Sequence, residues 1–263
     1  AATLEADYET VAAIDALDGL ESEMIESGHE HGHGGEHANE TDGEGEHHDE
    51  HTNETESEHR DEHTNETDGE QHDDQMDDSE VDRGQLDPHV WVDPVLGQEM
   101  VDTIAAGFAE IDPENSDTYE ANAASYKERL AELDSQYQQL VDDAERSTVV
   151  MATHSSFAYV EDRYGFDIHT VSGISPDAEP SNTEVSDTIT LVNEIGTDVI
   201  LYDRFESETL ANTIAQNGNG EIETMPVTAG AGTLREWADE GLGFIEQMEQ
   251  VTLPAFRQAL GAE

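Results

Sequence analysis

The sequence predicts an α/β fold, and three observations carry that prediction. Past residue 148, short β-branched runs alternate with amphipathic helical stretches, the signature of a parallel sheet. Two Asp-Pro pairs, Asp93-Pro94 and Asp112-Pro113, mark helix starts, an acidic N-cap followed by Pro in the first turn. Between Tyr119 and Ala144 an apolar seam repeats every 3.5 residues with no Gly or Pro to interrupt it.

Each element follows in order. The helix opened by Asp93-Pro94 is expected to bury Leu96, Met100, Ile104, Phe108 and Ile111 as one stripe. The second helix carries Tyr119, Ala123, Tyr126, Leu130, Leu133, Tyr137, Leu140 and Ala144 at alternating spacings of four and three. Running from 113 to 146, it reaches about 50 Å, longer than a small domain is wide. A coiled-coil dimer accounts for such a seam. A single rigid strut joining two lobes fits better, because small Ala and large Tyr stand where a zipper has Leu and Ile. Strands are then expected at 148–152, 167–172, 198–202 and 222–227, with helices at 155–164, 182–195 and 206–217 between them. In such sheets ligands bind beyond the carboxyl ends of the strands.

Composition narrows the function. The 263 residues hold 65 acids against nine Lys and Arg, a formal net charge of −56, and the acids are spread along the whole chain. Nucleic acid and anionic membranes would be repelled, so neither is an expected partner. The pattern points to adaptation to molar salt, where the Debye length falls to about 3 Å, and hence to a halophilic archaeon as source. There is no cysteine, so a metal site must be built from His and carboxylate. No apolar run approaches the roughly 20 residues that span a bilayer. The chain opens Ala1-Ala2-Thr3-Leu4-Glu5 without Met, and residues 1–27 offer two short amphipathic pieces with no evident packing surface. It reads as a fragment that enters a first domain midway.

Residues 28–82 hold ten of the thirteen histidines among Asp, Glu, Gly and Thr, too polar a stretch to bury a core. A loose repeat there contains three Asn-Glu-Thr acceptors, at Asn39, Asn53 and Asn65. Duplication of a low-complexity linker explains the repeat as well as glycosylation does. Loop imidazoles are individually nonspecific, and together they form a weak multi-site collector of borderline metals. Directly behind comes Leu86-Asp87-Pro88-His89-Val90-Trp91-Val92-Asp93-Pro94, where a histidine is fixed between two prolines and a tryptophan. His154 follows the strand at 148–152 directly, at a strand-to-helix turn. A lone histidine there is more often a cap than a ligand. The analogous strand-end setting of His89 shifts that balance, because the two can converge in one cleft. His169 lies on the following strand and reads as structural. Asp203 and Glu206 either line the cleft and bond a ligating imidazole or serve as N-cap and first-turn acid of the helix at 206–217. Trp91 reads as packing beside His89.

These segments resemble the solute-binding receptors of zinc and manganese ABC importers. The likeness rests on DPHVWVDP at 87–94, on Thr153-His154-Ser155-Ser156-Phe157-Ala158-Tyr159-Val160-Glu161-Asp162-Arg163-Tyr164-Gly165-Phe166, and on Gly173-Ile174-Ser175-Pro176-Asp177-Ala178-Glu179-Pro180-Ser181, and it spans about residues 83–250. Zinc-type members also carry a His-rich acidic loop before the first segment. The resemblance implies two α/β lobes, with parallel sheets joined by one long rigid helix and the metal between them. Residues 1–27 then end an N-terminal lobe that is incomplete here, 28–82 form the His/acid loop, and 83–111 complete that lobe with its first visible ligand. The inter-lobe helix takes 112–147 and the C-terminal lobe 148–263.

By the same resemblance His89 and His154 match the second and third histidine ligands, the first lying upstream of Ala1. Some members add an acidic ligand after the last strand. The corresponding residues 225–232 here contain no carboxylate, which leaves water, a residue outside this chain or a loop side chain. A mostly imidazole site favours Zn²⁺ over Mn²⁺, the second choice, as the bound substrate. The expected protein is a monomeric, non-enzymatic receptor that delivers a divalent metal to an ABC importer permease. It is exported to the extracellular face of the membrane, with a lipid anchor as one mode of attachment. The rival readings are an extracellular zinc buffer or metal-dependent adhesin, in which the loop is the whole function, and a zinc hydrolase. For the hydrolase no HExxH-like pairing or poised Glu stands beside either histidine.

Overall fold

A computed structural model describes residues 14–25, 86–172 and 180–262. By packing the chain divides into two units, one comprising Ala1–His29 with Asp82–Glu263 and the other Glu30–Val81. The His/acid tract with its sequons, residues 1–13 and Gly173–Glu179 lie outside the described residues.

Asp93 starts α1 (Pro94–Ile111) as expected, its carboxylate accepting from the N–H groups of Val95 and Leu96 at 2.8 and 3.3 Å. The expected stripe is buried only at its beginning. Leu96 is in the core, whereas Phe108 and Ile111 are 45% and 53% exposed. Phe108 stacks on Tyr119 with ring centres 5.4 Å apart instead of entering the core. Residues 14–25, expected to lack a packing surface, have one. Leu20 is buried in the main core, Ile14 sits against Gly107 of α1, and Asp87 N–H donates to Ile25 C=O at 2.7 Å.

The long helix α2 (Ser116–Asp142) is shorter than its seam suggested, because Pro113–Asn115 form a 3₁₀ turn and the helix stops at Asp142. Its 27 residues still reach about 40 Å. The seam is real: Ala123, Leu130, Leu133, Tyr137 and Leu140 are buried. It packs within this chain, against α1 along its first half and against the C-terminal elements along its second. Each fully buried Leu there stabilises the fold by about 1.5–3 kcal/mol.

Beyond it, β1 (Thr148–Met151), β2 (Asp167–Thr170), β3 (Val199–Asp203) and β4 (Glu223–Val227) form a four-stranded parallel sheet in the order β2-β1-β3-β4. The interleaved helices are α3 (Ala158–Tyr164), α4 (Asn182–Ile195) and α5 (Thr209–Asn217). Both α3 and α5 begin three residues later than expected, which leaves the chain irregular just past β1 and β3. After α6 (Arg235–Glu240), a continuous helical run comprises α7 (Phe244–Gln247), a π turn at Met248–Thr252 and α8 (Leu253–Leu260). The π turn precedes Pro254, which has no N–H to donate, and aims Thr252 Oγ1 at both the N–H and the C=O of Thr228. One core joins Val149, Met151, Val199, Leu201 and Val227 of the sheet to Leu133, Tyr137 and Leu140 of α2 and to Phe256 and Leu260 of α8. The opposite face of the sheet is covered by α4 and α5. Among the described residues no helix is long and apolar enough to cross a membrane.

Candidate metal centre

The carboxyl ends of β1 and β3 are where this sheet should bind a ligand, and both irregular stretches carry ionisable side chains. His154 stands in the turn between β1 and α3. His89 sits just before a 3₁₀ turn at Val90–Val92 that leads into α1. Separated by 65 positions in sequence, the two rings meet in space, centres 5.5 Å apart and planes tilted by 44°. For Zn–N bonds of about 2.0–2.1 Å at a tetrahedral centre, two imidazoles place their ring centres about 5 Å apart. The observed spacing is close to that.

Each ring is tethered at the same atom. Nδ1 of His89 lies 2.7 Å from Asp87 Oδ1, which also accepts the His89 backbone N–H at 2.9 Å. Nδ1 of His154 pairs with Glu206 Oε1. Both Nε2 atoms therefore remain for another partner. A carboxylate on Nδ1 makes it the proton-bearing nitrogen, raises the basicity of Nε2 and fixes the ring, the arrangement that metal-ligating histidines almost always use. Glu206 raises the His154 pKa by hydrogen bond and charge, against the opposing effect of burial. Burial works against the ionised Glu206, but its bonds to His154 and Thr153 prevail and hold its carboxyl below the usual range. Asp203 is buried and its pKa is raised for that reason, although the Phe205 N–H and both imidazoles favour its ionised form.

The two sequence motifs interlock, which explains residues the sequence singled out without a role. Tyr159 OH donates to the Asp87 carbonyl at 2.7 Å and accepts the Ile25 N–H at 3.1 Å. Arg163 pairs with Asp93, the cap of α1. Tyr164 stacks on Tyr137 of α2 and donates to Asp134 at 2.9 Å. Gly165 ends α3 in the left-handed region at φ 73°, where a side chain is strained. Trp91 does more than pack beside His89. Its indole N–H donates to Ala229 C=O at 2.8 Å, which ties the His89 segment to the loop after β4.

Neither Asp203 nor Glu206 caps a helix, because α5 starts only at Thr209 with Glu208 before it. The cap alternative therefore falls, and Glu206 is a partner of His154. His169 on β2 pairs with Thr188 Oγ1 of α4 at 2.9 Å. Asp87 escaped the sequence reading, although its signal, an acid two residues before a histidine with Pro between, stood in the motif. Among the described residues no three His, Asp or Glu side chains converge tightly enough to hold an ion by themselves.

A buried pair of carboxylate-anchored imidazoles at the mouth of a parallel sheet is a donor set suited to a divalent metal rather than to a nucleotide or an anion. The family follows from comparison. The chain matches the model of ZnuA, the periplasmic component A of the zinc-uptake complex, over residues 2–252, and it belongs to that family. It is 33% identical over 175 residues to the high-affinity zinc uptake system protein ZnuA of Bacillus subtilis, covering 66% of this chain and 54% of that protein. It is 30% identical over 179 residues to the zinc-binding lipoprotein AdcA of Streptococcus pneumoniae, covering 68% of this chain and 35% of that one. The chain thus spans about half or less of the length of these relatives. Among solved structures it resembles the Zn(II)-bound ZnuA-like domain of Streptococcus pneumoniae AdcA, with a TM-score of 0.58 and 30% identity over 68% of this chain and 66% of that one. The metal-dependent lipoprotein YcdH of Bacillus subtilis gives the same TM-score, 0.58, at 31% identity over 70% of this chain and 68% of that one.

Proposed function

We propose that this protein is an extracytoplasmic receptor that captures Zn²⁺ and delivers it to the permease of an ABC importer, with no catalytic role. The observation that carries this reading is the His89–His154 pair, both Nδ1 atoms held by carboxylates and both Nε2 atoms left for the ion. The names of its relatives, a zinc uptake protein and a Zn(II)-bound domain, support the choice of metal. An imidazole-rich set favours Zn²⁺ over the harder Mn²⁺. The receptor works outside the cell as a monomer, attached by a lipid anchor as AdcA is named for, and it has no nucleic-acid partner. Residues 28–82 act as an accessory metal collector and 148–263 as the C-terminal lobe.

The test is calorimetry on the full chain. His89→Ala and His154→Ala each abolish one tight Zn²⁺ site, whereas deletion of 28–82 removes only weak binding. Loss of the tight site on loop deletion, with the two histidine variants unaffected, overturns the reading.

The charge of −56 supports a second element of the proposal, a fold adapted to molar salt such as a halophilic archaeon provides. Self-repulsion among exposed carboxylates weakens as the Debye length shrinks. The melting temperature therefore rises between 0.1 M and 2 M KCl, and a flat or falling profile contradicts the adaptation.

A further inference from the structure

The sheet register brings one more carboxylate toward the two imidazoles. Met151 of β1 pairs with Leu201 of β3, so Asp203 at the end of β3 and the His154 turn just past β1 lie at the same carboxyl edge of the sheet, where Glu206 reaches His154 Nδ1. Neighbouring strands run about 4.8 Å apart, so the carboxyl ends of β1 and β3 lie side by side. Asp203 is the last residue of β3 and only 6% exposed. Its Oδ1 accepts the Phe205 N–H at 2.7 Å, and among the described residues nothing engages its other oxygen.

Asp87, Asp203 and Glu206 flank two imidazoles, and Arg163, the arginine of the interlocking motif, is committed to Asp93. A buried carboxylate without a cation is costly to keep ionised. A dication between the two imidazoles would offset the charge of the three carboxylates around them.

The loop after β4 offers no carboxylate. The backbone of residues 228–232 is pinned by Thr252 and by Trp91. At Gly230, φ 74°, a Cβ would meet the Phe244 ring at 2.4 Å, so that turn is packed closely on the ring.

We propose that Asp203 supplies the oxygen donor that joins Nε2 of His89 and Nε2 of His154 around the captured ion. This rests on the reading above that the two histidines bind it. The three donors have not converged in this structure. The free oxygen of Asp203 would turn toward the imidazoles to supply a hard donor to the ion, while Oδ1 would keep the Phe205 N–H. Two imidazoles and one carboxylate are a donor set that zinc accepts, with a fourth position left for another donor.

The experiment uses the full chain, with Zn²⁺ affinity measured by chelator competition and coordination read from the visible spectrum of the Co²⁺-loaded protein. Asp203→Asn retains the acceptor for Phe205 N–H and removes the charge, and Asp203→Ser repeats this with a smaller side chain should the amide fold poorly. The expected loss is about 100-fold or more, at or beyond the limit of what removing an outer partner costs, with a changed Co²⁺ spectrum. Asp203→His is expected to restore part of the affinity, because an imidazole can ligate. Affinity within about threefold of the parent, or a moderate loss with an unchanged Co²⁺ spectrum, overturns the ligand role. If His89→Ala still abolishes the site in that case, the paired-histidine reading stands without Asp203. If His89→Ala and His154→Ala also bind like the parent, both readings fall.

Discussion

The two halves of the proposed metal centre hold their histidines in the same way but assemble by different routes. His89 and His154 are almost equally covered, with side chains 11% and 12% exposed. Their carboxylate partners are not. Asp87 is 2% exposed and lies two residues from its histidine, whereas Glu206 is 27% exposed and lies 52 residues away. One arm is complete within three residues and sealed from water. The other exists only when β1 and β3 are paired, and it stays in partial contact with solvent. A local, buried arm is stiff before the metal arrives. A tertiary, partly wetted arm can adjust, so on the proposed reading the His154 side is the one free to adapt to an ion.

Isosteric changes on the two arms put that contrast at risk. Asp87→Asn keeps the one oxygen that accepts both the backbone N–H and Nδ1 of His89 but removes its charge, so both bonds weaken at a site sealed from water. It should lower zinc affinity by about 100-fold and stability by about 1–3 kcal/mol. Glu206→Gln keeps an acceptor for Nδ1 in a site that water reaches. Its expected cost is about tenfold in affinity with little change in melting temperature. Calorimetric titration and thermal denaturation of the two variants side by side decide the matter. Equal losses in both quantities would remove the distinction between a stiff arm and an adaptable one.

The same contrast explains what was legible in the sequence. The α/β class, the strand order of appearance, the α1 cap and the α2 seam all follow from local periodicity and turn chemistry, and the structure has them. His89 and His154 were legible as candidates because short motifs surround them. Glu206 was visible only as one of two open roles, since no local pattern says which strand pairs with which. Phe108 and Ile111 misled because periodicity shows that a helix has an apolar face without showing how far along it the core extends. Residues 14–25 misled in the opposite direction, since their partners Gly107 and Tyr159 lie far away in the chain.

A smaller effect tests the local arm at its far end. Asp93 caps α1 and pairs with Arg163, so habit would make its ionised form stabilising. Burial is the largest influence on it, however, and its pKa lies above the ordinary 3.8 despite Arg163 and the two capping N–H groups. A carboxyl with a raised folded-state pKa binds more protons folded than unfolded in the window between the two values. Its contribution is therefore complete below pH 3.8 and declines as pH rises through the folded value. Asp93→Asn keeps the cap, since Asn serves there as well as Asp, and removes the buried charge, while Arg163 turns to water. The variant should differ from the parent by about 1 kcal/mol or less at neutral pH. Its stability should also lack the decline that the parent shows upward from pH 3.8. Denaturant midpoints measured across the acid range supply the check. A parent that loses stability on acidification through Asp93, with the loss absent from Asp93→Asn, would mean that Arg163 outweighs burial and that this end of the segment is held by charge.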